Sequence, residues 1–215
     1  IITYYKCLYQ SLVRAFLFWR KMSNALKLTS PLGVSVNHYL AYRAIMKNGK
    51  PMAMSYKTPE AVKYQKDFKE YVIQEVKKQG YNLKPDPLQH FYIDAVFYFD
   101  RIDRDPNNYF KCLLDAITET GLVWVDNNVT CERVQRIYYD SENPRIELTI
   151  RPVNYIGVFD DAPQLEEFKS RCIRCKRYKR NCSLLKKAIE GRIQPEIHDG
   201  ECDKYTSDVK EKRNE

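Results

Sequence analysis

The apolar run Phe91–Phe99 and the polar stretch that follows it, Asp100 to Val129, constrain the chain most. The run is aromatic and β-branched, which reads as a strand. It gives way to Asp103, Arg104 and Asp105. Asp105 sits where a helix N-cap belongs, with Pro106 at the first helical position. The spacing predicts a helix to about Thr120, with Gly121 at C′. A second apolar run, Leu122 to Val125, ends at Asp126. Two acidic stops, each closing an apolar run, could converge to hold a hard cation such as Mg²⁺.

The helix between them has two faces. Asn108, Lys111 and Asp115 fall at i, i+3 and i+7, and Asn107 lies one turn before Lys111. Leu113, Ala116, Ile117 and, at the edge, Cys112 form the face that would pack on a sheet. A lysine one turn into such a helix could reach a phosphate oxygen beside a bound metal. That is equipment for metal-dependent phosphodiester hydrolysis. The same pattern also describes a capped amphipathic helix with a solvated face.

The segment resembles the RusA family of Holliday-junction resolvases of phages and prophages. That family's core pattern is Asp-x-Asp-Asn-x-x-Lys-x-x-x-Asp, then a Gly, then a pair of aspartates after a short apolar run. Asp105, Asn108, Lys111, Asp115, Gly121 and Asp126 match, and Val129 fits a following apolar position. Pro31, Ser35 and Asn37, with Tyr39, resemble the family's Ser-x-Asn opening segment. The resemblance spans roughly Leu26 to Pro152. It departs at Asn107, where the family has its second metal-binding aspartate, and at Asn127, where the second of the later pair is expected. An amide oxygen still ligates Mg²⁺ but brings no charge.

The resemblance implies a Mg²⁺-dependent nuclease that resolves four-way DNA junctions, working as a homodimer. Asp105 and Asp126 would hold the metal, with Asn107, Asn127 or Asp103 completing the shell. Lys111 would stabilise the scissile phosphate and Asn108 would orient the cluster. Asp115 is expected to anchor the helix by a hydrogen bond. A rival with the same fold grips branched DNA without cutting it. Another acts only through a cysteine module that recruits a partner.

The 215 residues suit one domain of ordinary size plus appendages, with a core able to stand without disulfides. The net charge of +8 and pI near 9.0 favour an anionic partner, nucleic acid first. An odd cysteine count with a Cys-x-x-Cys pair argues against a secreted disulfide framework and for a reducing cytoplasm. There are no internal repeats, no P-loop and no dinucleotide fingerprint.

Ile1 to Lys21 is rich in Tyr, Leu and Phe but is interrupted by Arg14. It is too short and charged for a spanning helix and lacks the order of a cleavable signal. It reads as a non-core extension before Met22, or as an amphipathic membrane or partner helix. The core, 22–152, opens with a short strand at Leu26–Thr29 and a loop through Gly33 and Asn37. Tyr39, Tyr42, Arg43, Lys47 and Lys50 suit a nucleic-acid surface or a solvated loop. Thr58-Pro59-Glu60 starts a helix that carries Ala61, Tyr64, Phe68, Val72 and Val76 on one face, with Gly80 as its stop. Strands over Val129–Tyr139 and Arg145–Arg151 read as an antiparallel hairpin. The fold class is α+β, a mixed sheet with helices packed on it.

Residues 153–170, with Gly157, Pro163 and an acidic patch, read as a linker. The Cys-rich segment 171–203 follows. Cys172, Cys175, Cys182 and Cys202 supply four thiolates, enough for tetrahedral Zn²⁺, with His198 a rival ligand. An iron–sulfur cluster, a redox pair or free thiols remain alternatives. Lys and Arg crowd the gaps between these cysteines and suit phosphate contact. The polar tail 204–215 reads as disordered.

Overall fold

A computed structural model describes residues 25–178 and 180–207. The chain divides into two compact units, Ile1–Pro152 and Val153–Glu215. The expected extension 1–21 and the last eight residues of the expected tail lie outside the described residues.

The first unit is built on a four-stranded sheet of β1 (Leu26–Pro31), β4 (Phe91–Phe99), β5 (Thr130–Tyr139) and β6 (Arg145–Pro152), in the order β1-β6-β4-β5. Strand β6 pairs antiparallel with both β1 and β4, and β5 pairs parallel with β4. Alternation along β4 buries Phe91, Ile93, Ala95, Phe97 and Phe99 on one face. Helices α2 (Pro59–Lys78) and α3 (Asn107–Thr118) supply Phe68, Val72, Leu113 and Ile117 to the same core. The mixed sheet with packed helices agrees with the α+β expectation.

Helix α2 starts as its sequence requires. Thr58 Oγ1 accepts the Ala61 N–H at 3.3 Å, and Pro59 holds the first position. Its expected apolar face is the buried one, with one addition. Gln65 is buried too, donating to Tyr39 Oη at 3.1 Å and to the Cys112 carbonyl at 3.3 Å. Leu122–Val125 forms no strand. Val123 and Trp124 plug the core, and Trp124 Nε1 donates to Thr118 Oγ1 at 2.7 Å.

Four expectations are corrected. Strands β5 and β6 are not a hairpin, because β4 lies between them. Residues 140–144 step over one strand, about 10 Å, which five residues span easily. The expected loop through Asn37 ends in the short helix α1 (Val36–Tyr39), and the solvated-loop alternative for Tyr39 to Lys50 gives way to an exposed hairpin, β2 (Leu40–Lys47) and β3 (Lys50–Lys57). Its turn is Asn48-Gly49, with φ of 53° and 74°, the left-handed pair a two-residue hairpin turn needs. Residues 153–170 are not a bare linker. Asp161 caps helix α4 (Ala162–Ile173), whose Leu165 and Phe168 are buried with Phe159 and Ala188. The second unit also holds α5 (Leu184–Ile189) and a small hairpin, β7 (Ile197–His198) and β8 (Glu201–Cys202). The start of the expected tail is ordered here: Lys176 N–H donates to the Thr206 carbonyl at 2.9 Å.

The other face of the first unit's sheet is half-exposed and carries rings and charges. Asp94 pairs there with Arg133 at 2.6 Å and with Arg151. Burial opposes its charge, but Arg151 and Arg133 outweigh that and hold the carboxyl below the usual range. A carboxyl lowered by folding stabilises above its unfolded range, near pH ~4, and loses this as pH falls through the folded value. Asp94→Asn should therefore cost about 1–3 kcal/mol at neutral pH. The gap from wild type should shrink on acidification below about pH 4. Urea unfolding across pH reads this, and a gap independent of pH would remove the ion pairs from the account.

Candidate active site

The polar face of α3 begins where β4 ends. The helix starts at Asn107, not Pro106, and Asp105 is not its N-cap side chain. Asp105 Oδ1 instead accepts the Asn107 N–H at 2.9 Å, and its carbonyl accepts the Asn108 N–H at 3.2 Å. This local turn fixes Asp105 just ahead of the helix. A shallow cavity of about 190 Å³ lies at this end, lined by Asp103, Asp105, Asn108, Ser35, Asn37 and His38, among others. The two separate stretches singled out in the sequence thus meet at one place. Ser35 caps α1 by accepting the Asn37 N–H at 3.2 Å, which sets the loop beside Asp105. His38 was missed by the sequence reading.

The other end of the strip is organised by Asp115. Its Oδ2 accepts the Tyr39 hydroxyl at 2.6 Å, and its Oδ1 accepts Lys111 Nζ at 2.7 Å and Asn127 Nδ2 at 2.9 Å. Burial and then the Asp115 carboxylate push the Tyr39 phenol up, so it stays a donor. Asp115 is mostly buried, with its side chain 18% exposed, and matches its expected anchoring role. Asn127 opens a 3-10 turn, Asn127–Val129, and Asp126 caps it by accepting the Asn127 N–H at 2.7 Å.

The seven steps from Asn108 to Asp115 amount to about two turns, or roughly 10 Å along the axis. The expected site residues therefore form a strip rather than one point. The structure brings Asp105, Asn108 and Asp103 to one cavity, and Lys111, Asp115 and Asn127 to one hydrogen-bonded group. Asp126 adjoins the second group through the chain. Among the described residues no three His, Cys, Asp or Glu side chains stand in metal-holding geometry.

The charges along the strip are unevenly matched. Arg104 pairs with Asp100, Arg101 with Asp103, and Lys111 with Asp115, each within about 3.0 Å. Asp105 and Asp126 have no cation partner among the described residues. Hard oxygen donors without competing cations fit a divalent ion in chemistry, though the donors are spread out. Beside the strip, the β2–β3 hairpin exposes Tyr42 and Met46, and Arg43 lies over the Tyr56 ring at 5.7 Å. On the half-exposed sheet face, Arg145 and Arg133 lie 3.5 and 3.8 Å from the Tyr98 and Tyr92 rings. The aromatic periodicity of β4 contained that signal, but not the pairing with arginines from β5 and β6.

In the second unit, Cys172, Cys175, Cys182 and Cys202 line one cavity. Burial, then the neighbouring Cys202, Cys182 and Cys175, push the Cys172 thiol up to about 11. His198 lies outside that lining and instead approaches Asp203 at 3.4 Å.

The family model described as Endodeoxyribonuclease RusA matches residues 41–151, more than half of the chain. The chain belongs to this family, one of nucleases that act on branched DNA junctions and are generally dependent on a divalent metal. The match runs from β2 to β6 and contains the whole strip from Asp105 to Asn127. Comparison with curated proteins found no match to the chain.

Asp115→Asn tests the geometry of the strip. It removes the charge that holds Lys111 and reverses one donor–acceptor relation with Asn127 or Tyr39. Stability should fall by about 1–3 kcal/mol in urea unfolding without metal. Unchanged stability with weakened Mg²⁺ binding would make Asp115 a metal ligand instead of an anchor.

Proposed function

We propose that this chain is a Mg²⁺-dependent, structure-selective endonuclease that resolves four-way DNA junctions in recombination and repair. One observation carries the reading. The Ser35-capped start of α1 and the start of α3 meet at Asp105 and Asn108, at the head of a strip in which Asp105 and Asp126 have no cation partner among the described residues. Those two would hold the Mg²⁺, with Asn107, Asn127 or Asp103 completing its shell. Bound there, the ion would activate water and offset charge on the phosphate.

The other roles belong to side chains. Lys111, 54% exposed, swings from Asp115 toward the scissile phosphate and neutralises it. Asn108 orients the donors at the cavity. Asp115 keeps α3, Tyr39 and the 3-10 turn in register. The net charge of +8 and the Arg–Tyr surfaces of the hairpin and open sheet face suit a phosphate backbone with splayed bases. Symmetric cutting of two strands requires two sites, so the working form is a homodimer. No helix among the described residues is long and apolar enough to cross a membrane, and the proposed location is the cytoplasm of a bacterial host or phage-infected cell.

A second reading has its own observation. Asn127 donates its amide to Asp115 at 2.9 Å, so an aspartate there would set two carboxylates together. The chain is thus fitted to an amide where the resemblance expects a carboxylate, and Asn107 lacks the other charge. Both changes favour a branched-DNA-binding protein of weakened catalysis. Cleavage of a synthetic four-way junction against linear duplex, with and without Mg²⁺, separates the readings. Cleavage of the junction alone, and only with Mg²⁺, supports the nuclease. Tight junction binding without cleavage supports the second.

Two substitutions refine the test. Asp126→Asn should abolish cutting and leave junction binding intact or tighter, because a phosphate-repelling charge is lost. Gel-shift and cleavage assays on one preparation read both, and wild-type cutting would end the metal role of Asp126. Asn107→Asp should keep or raise activity and lower the Mg²⁺ concentration needed, since it adds a charged hard ligand. A folded but inactive variant would show that the amide at Asn107 is tuned to its neighbours.

A further inference from the structure

The second unit carries chemistry that the nuclease reading does not use. Among the described residues of the unit running from Val153 to Glu215, the buried cluster is Phe159, Leu165, Phe168 and Ala188, with Val153 and Leu184 also buried. A unit of that size with so small a core needs a staple. Disulfides do not supply it, since Cys172, Cys175, Cys182 and Cys202 form none.

Four of those cysteines come from four places and meet at one cavity of about 380 Å³. Cys172 lies in the last turn of α4 and Cys175 in the turn that follows. Cys182 precedes α5, and Cys202 ends the β7–β8 hairpin. The hairpin turn at Asp199-Gly200 has φ of 49° and 75°, a tight reversal that delivers Cys202. Cys175 Sγ accepts the Thr206 N–H at 3.5 Å, a sulfur–amide contact that suits a thiolate. Arg171 and Lys204 line the same cavity.

We propose that Cys172, Cys175, Cys182 and Cys202 form a four-thiolate zinc site that holds the second unit together. Thiolates select zinc over the Mg²⁺ of an oxygen site. Four thiolates on a divalent ion leave a net charge of −2, beside Arg171, which pairs with Glu167 and Glu201, and Lys204, which pairs with Glu196. Each thiol gives up its proton to solvent on ligation. Without a metal the four side chains line the cavity and do not stand in metal-holding geometry. On ligation the four sulfurs would close to a Zn–S separation of about 2.3 Å. His198, outside the cavity lining, is not the fourth ligand.

The full chain, purified under reducing conditions, should carry about one zinc by elemental analysis. Titration with a mercurial should release that zinc as about four thiols react. Cys182→Ser should lose most of the zinc. If that variant fails to fold, the wild-type titration alone decides. Chelation should make residues after about Val153 protease-sensitive and leave the first unit resistant. Metal-free protein with four freely reactive thiols would overturn the proposal. So would iron with visible absorbance, which signals a cluster, or zinc retained in full by a folded Cys182→Ser. None of these readouts uses DNA or Mg²⁺, so they stand or fall apart from the nuclease reading.

Discussion

The carboxylate of Asp115 is the contact on which the candidate site depends. Three elements remote in sequence end on it: Tyr39 at the junction of α1 and β2, Lys111 on α3, and Asn127 at the 3-10 turn. A buried carboxylate is costly unless its lone pairs are filled, and these donors fill them. The helix therefore has one seat on the sheet. The head of the strip has its own local fixings, the turn at Asp105 and the Ser35 cap of α1.

The distribution of charge along the strip follows from the same contact. Lys111 is drawn back to Asp115, and Arg101 and Arg104 are taken by Asp103 and Asp100. Asp105 and Asp126 are left without cations among the described residues, in a chain of net charge +8. Amides at Asn107 and Asn127 lower the negative charge that a metal would otherwise relieve. Asn127 shows why this is tolerated, because its amide donates where a carboxylate would repel Asp115.

What could be read from the sequence was what repeats with a period. Phe68, Val72 and Val76 mark α2, Leu113 and Ile117 mark the buried face of α3, and both fall in the core. The β2–β3 hairpin has no buried face, so it carries no alternation, and only Asn48-Gly49 announces it. The place of β4 between β5 and β6 is a long-range pairing that no local pattern holds. Leu165, Phe168 and Cys172 stand at helical spacing but are hidden among acidic residues, which made α4 look like a linker. The proposed roles of Asp105 and Lys111 are read from the acidic stop and the polar helix face and sharpened by the resemblance, whereas the hub at Asp115 is foreseen only as a single bond. His38 had no signal beyond its nearness to Asn37.

The central proposal is that Asp105 and Asp126 both belong to the divalent-metal centre of the strip. Iron-mediated cleavage of the polypeptide tests it directly: Fe²⁺ takes the Mg²⁺ site, and added peroxide generates hydroxyl radicals that cut the nearest backbone. The account predicts cuts near Asp105 and near Asp126, both suppressed by Mg²⁺. Cuts at only one of the two segments, or cuts that Mg²⁺ does not suppress, would contradict it.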